Sequence, residues 1–183
     1  MNEKERKVIH RWVEMIMDSS TLEEKKRVRF REKADDWFCK NFTVNIRKNP
    51  HYIQQLLSDA ILEENVDDVE VLFLLAECFG LEGYIVDLIA PLLIQPWHSF
   101  HDSFARVVSF NANPKFTDLL FRGAVYTCDN LEYQEDYKEF NRKCMFGLLK
   151  IGTQEALDKL YQLTLHEDKV ISDIATYVLK SNI

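Results

Sequence analysis

Apolar residues along this chain recur at spacings of three and four, in short blocks separated by Asn-Pro pairs, glycines and acidic corners. That is the pattern of amphipathic helices joined by tight turns. The clearest block is GTQEALDKLYQLTLHEDKVISDIATYVLKS near the C-terminus. It places Ala156, Leu157, Leu160 and Leu163 on one stripe, and Val170, Ile174, Ala175 and Val178 on a facing one. Asn49-Pro50 and Asn113-Pro114 each combine an Asn N-cap with Pro at the first helical position, and they stand 64 residues apart. Gly80 and Gly152 each follow an apolar run, where a glycine in the left-handed conformation closes a helix. Half of 64 is a period that helical repeats use, and it organises most of the chain. First helices of pairs are predicted over about 50–63, 82–94, 114–126 and 153–165, and second helices over about 67–79, 98–110, 133–150 and 168–180. Two helices precede them, over about 3–17 and 21–48, the second opened by overlapping capping boxes, Ser20 with Glu23 and Thr21 with Glu24.

A helix pair this short cannot bury its apolar face alone, so neighbouring pairs must stack into one core. The run from Leu148 to Lys180 has a Gly before its first helix, Ala156-Leu157 and Leu160 within it, Asp168 and Val170 at the corner, and Ala175 in the second helix. In these features it resembles a HEAT-type repeat. Residues 80–109 superpose on it with a two-residue shift, pairing Ile85 with Leu157 and Leu88 with Leu160, although their corner QPWHS lacks the acidic residue. The resemblance implies an all-α fold: a right-handed α-solenoid-like stack of about four HEAT-type helix pairs over 49–183, behind N-terminal helices in 1–48. The whole of 1–183 is expected to form a single domain.

Composition supports helices. With 183 residues, only 5 Gly and 4 Pro supply few of the turns that strands demand. No apolar run approaches the roughly 18 residues of a membrane span, and MNEKERKVIHRW lacks the apolar core of a signal peptide. The four cysteines, Cys39, Cys78, Cys128 and Cys144, are far apart and fall in apolar helical contexts. They are expected to be reduced core residues of a cytoplasmic protein.

Charge changes the picture most. Residues 49–105 hold ten Asp or Glu and no Lys or Arg, whereas residues 1–49 carry 13 basic against 9 acidic residues. An acidic surface repels phosphate backbones and attracts cationic proteins. On the helical wheel of 67–79, Asp67, Glu70 and Glu77 form one edge of a helix whose remainder (Val69, Leu72, Phe73, Ala76) is apolar. Asp68 adjoins them, and Asp102, Glu135 and Glu139 on later second helices would extend the ridge. Trp97 and His98 stand at a corner where an aromatic could anchor a partner, and Tyr133 joins the acids of 132–139 in a patch suited to a basic loop.

Other chemistry finds little support. His98 and His101 with adjoining Asp102 could contribute to a metal site, but no further ligand is spaced to complete it. No nucleophile motif or phosphate-cradling glycine loop occurs, and the basic run Lys25–Lys33 alternates with acids as a solvated helix does. Neither enzymatic activity, cofactor, nucleic acid nor membrane is expected. In size, charge and repeat class the chain resembles the immunity proteins of bacterial contact-dependent inhibition and related polymorphic toxin systems. That resemblance implies an inhibitor that neutralises a basic protein partner, a nuclease toxin domain being the candidate. A general helical adaptor binding a peptide or helix is the alternative. A HEAT-like DNA glycosylase is disfavoured, because it would need a basic concave face.

Overall fold

A computed structural model describes residues 1–19, 23–127 and 134–181, with backbone alone at 19 and 134–136. The described residues form ten α-helices and no strand. These are α1 (Glu3–Ser19), α2 (Glu24–Asn41), α3 (His51–Leu62), α4 (Val66–Cys78), α5 (Glu82–Ile89), α6 (His101–Asn111), α7 (Thr117–Ala124), α8 (Gln134–Ile151), α9 (Gln154–Leu163) and α10 (Lys169–Lys180). Short 3-10 turns, Ala90–Ile94 and Pro114–Phe116, extend α5 and lead into α7. Among the described residues no helix is long and apolar enough to cross a membrane. The chain divides into two compact units, Met1–Ile85 and Val86–Ile183, with the boundary inside α5.

In the first unit α1 packs on α2 and α4, and α3 packs on α4. Asn2 and Glu5 open α1 as a reciprocal capping box: the Asn2 side chain accepts from Glu5 N (2.9 Å) and Asn2 N donates to Glu5 Oε2 (3.2 Å). Trp12, Phe38, Phe42 and Phe79 meet in one aromatic cluster, with ring centroids 4.7–5.8 Å apart. Trp12 Nε1 donates to Asp35 at 2.9 Å, so the buried indole keeps a partner.

Helix α2 stops at Asn41, seven residues short of the predicted end at 48. Phe42 turns to extended geometry (ψ 147°), stacks on Phe38 and is buried. Thr43, Val44 and Asn45 then favour a turn over a helix. Burying Phe42 and Ile46 outweighs one more helical turn. Helix α3 begins at His51, with Pro50 at the cap position and no side-chain cap there, instead of an Asn49 cap. The boxes predicted at Ser20 and Thr21 lie outside the described residues.

In the second unit α8 is the shared element, touching α6, α7, α9 and α10. Close approach needs a missing side chain. A Cβ on Gly147 would lie 2.6 Å from Ser109 Oγ and 2.9 Å from Leu120, and one on Gly123 would lie 2.8 Å from Cys144 Sγ. Asn113 caps the 3-10 turn before α7 with its own side chain, as the pattern predicts, and Thr153 and Asp168 cap α9 and α10 in the same way. Gly80 and Gly152 adopt φ of 67° and 66°, the left-handed closure expected of them. The last stripes differ in detail: Ile171 is buried where Val170 was expected, and Val170 remains 38% exposed. The inner face of α10 is Ile171, Ala175 and Val178, spaced four and three apart, so Ala175 and Val178 keep their expected places. Of the cysteines, Cys144 is buried, whereas Cys39 and Cys78 are half-buried and so line the core's edge; all three are free, and Cys128 lies outside the described residues.

Gly147→Ala should lower stability by about 1–3 kcal/mol, since Ser109 and Leu120 must both move. Urea unfolding of the variant would check this, and an unchanged midpoint would show that α6 and α8 can separate freely.

Candidate functional site

The first candidate surface is the corner between α3 and α4. Helix α3 closes with Glu64 in the left-handed region (φ 49°). Asn65 N donates to Ala60 O (2.9 Å) and Glu64 N to Ile61 O (3.1 Å), the paired bonds that end a helix at a left-handed residue. Glycine would take that position with less strain, yet a glutamate stands there. Asn65 then caps α4 by accepting from Asp68 N at 3.1 Å. Asp67 and Asp68 fall in the first turn of α4, where the unpaired N–H groups favour negative charge.

The acids of this corner separate into two groups. Asp59, Glu63, Glu64, Asp67 and Glu70 are exposed, as is Leu62, whose exposure is 82%. Asp68 is not: it is 2% exposed and receives both Nε (2.9 Å) and a terminal nitrogen (2.6 Å) of Arg6. Asp68 was expected on the rim and instead ties α4 to α1, because an inward carboxylate needs a charged partner. The bond to Asp68 is the main cause raising the Arg6 pKa, and nearby Glu63 and Asp67 add to it. Beside this pair, buried Glu5 accepts from the Tyr52 hydroxyl and pushes its pKa up to about 12.

Glu77 is half-buried in the last turn of α4. Asp102, on α6, is held by Lys143 Nζ at 2.5 Å, and Glu139 is exposed but paired with Arg142 at 2.6 Å. Tyr133 lies outside the described residues, and only the backbone of Glu135 is described.

The corner QPWHSFH is built around a stacked histidine pair. The rings of His98 and His101 lie 4.3 Å apart and 23° from parallel. His98 Nδ1 accepts from Phe100 N (3.0 Å), so its proton sits on Nε2 and is donated to Leu92 O (2.8 Å). His101 Nε2 donates to Gln95 O (2.8 Å), while its Nδ1 is buried without a hydrogen-bond partner. Both rings thus fasten the 3-10 turn and its following loop to the start of α6. His98 is 3% exposed, and half-buried Trp97 packs edge-on against it at 5.1 Å. A ring so enclosed has no face for a partner, which places His98 in the framework of the corner. Burial, with His101 adding a smaller part, pushes the His98 pKa down to about 4; burial also lowers that of His101.

Sequence reasoning missed Leu62, Glu63 and Glu64, which the predicted helix boundary concealed. It also missed an α6–α8 groove whose signal was present: Arg106 and Phe110 four apart, then Lys143, Phe146 and Lys150 three and four apart. No family model matches the chain, and neither a curated protein nor a solved structure matches it.

Two outcomes follow for stability. Asp68→Ala should cost about 1–3 kcal/mol by stranding Arg6, while Asp67→Ala stays within about 0.5–1 kcal/mol; equal losses in urea unfolding would contradict the internal role of Asp68. The histidines set a pH dependence. Their folded pKa values lie below the unfolded value near 6.5, so the unfolded chain takes up protons first as pH falls. Stability should therefore decline from about pH 7 toward pH 4, with His98 contributing on the order of 2–3 kcal/mol. His101→Phe should flatten that slope in unfolding measured across this range.

Proposed function

We propose that this chain is a non-enzymatic, cytoplasmic protein-binding module whose acidic α3–α4 corner holds a basic protein partner. The observation that carries the reading is the corner itself, whose two helices and turn expose five carboxylates and Leu62. Ion pairs among the described residues leave those five out. Such a surface offers long-range attraction to a cationic partner and one apolar contact to fix it. Repulsion between neighbouring carboxylates would be relieved on docking, so the energetic gain comes only in the complex.

The proposed architecture is a stack of HEAT-type helix pairs. In the second unit, contacts run from α6 to α8 to α10 and from α7 to α9, as successive second and first helices of a solenoid would touch. Together with the acidic corner, this supports an immunity protein that covers a nuclease toxin domain. A nuclease binds phosphates through cationic residues, and an acidic helical corner is complementary to such a site.

An immunity protein of this kind is expected to be encoded directly downstream of a large secreted toxin, and the toxin's terminal domain is the partner to test. Binding should be fast at low salt and slow as salt screens the field beyond roughly 8–10 Å. The triple reversal Glu63→Lys, Asp67→Lys and Glu70→Lys should slow association at least about tenfold while leaving the melting temperature within a few degrees. Unchanged association rates would overturn the assignment of this corner.

A further inference from the structure

We draw no further inference here: the strongest candidate, the open groove between α6 and α8 lined by Phe110, Phe146 and Lys150, carries none because nothing in the structure shows what covers it.

Discussion

The structure depends on shared burial. Its helices run from 8 to 18 residues, and isolated helices below about 12–15 residues are marginal in water. Each therefore persists only while its apolar stripe is covered by another. In the second unit this makes α8 indispensable, because α6, α7, α9 and α10 all rest on it. Two glycines, Gly123 on α7 and Gly147 on α8, permit the approach: a methyl group on either would press into a neighbouring side chain.

Polar groups drawn inside with those stripes shape the first unit and the QPWHSFH corner. Arg6–Asp68 and Glu5–Tyr52 fasten α1 to α4 and to α3, and both would be costly if half-made. The histidine pair plays a comparable part in the second unit, with two ring N–H groups donating to the carbonyls of Leu92 in the 3-10 turn and of Gln95 just after it. These contacts explain why several residues with the chemistry of a site act as framework. Asp68, His98 and Asp102 are each engaged by the fold itself.

Charge illustrates the same point. Along the chain, basic residues concentrate in 1–49 and vanish from 49–105. Folding brings the two together: the first unit contains 13 basic and 17 acidic residues, and Arg6 from the basic segment neutralises Asp68 from the acidic one. What stays unneutralised is smaller and more local than the linear tract suggested. It includes the exposed acids Asp59, Glu63, Glu64, Asp67 and Glu70 of the α3–α4 corner, where Glu64 turns the chain through a left-handed residue.

Helix number, helix type and most boundaries were written in the sequence, because amphipathic period, Asn and Thr caps and left-handed glycines are local effects. Thr153, Asn113, Gly80 and Gly152 act where their neighbours alone would place them. The end of α2 was not, since Phe42 leaves the helix to stack on Phe38 and be buried, a gain that local propensity does not register. The candidate surfaces divide likewise. That the middle of the chain is acidic was plain from composition, but which acids face water depended on Arg6, 62 residues away from Asp68. The α6–α8 groove needed its two helices side by side, with Gly147 and Ser109 in contact distance. Pairing across the chain is decided by packing free energy summed over many distant residues, and no window of the sequence contains it.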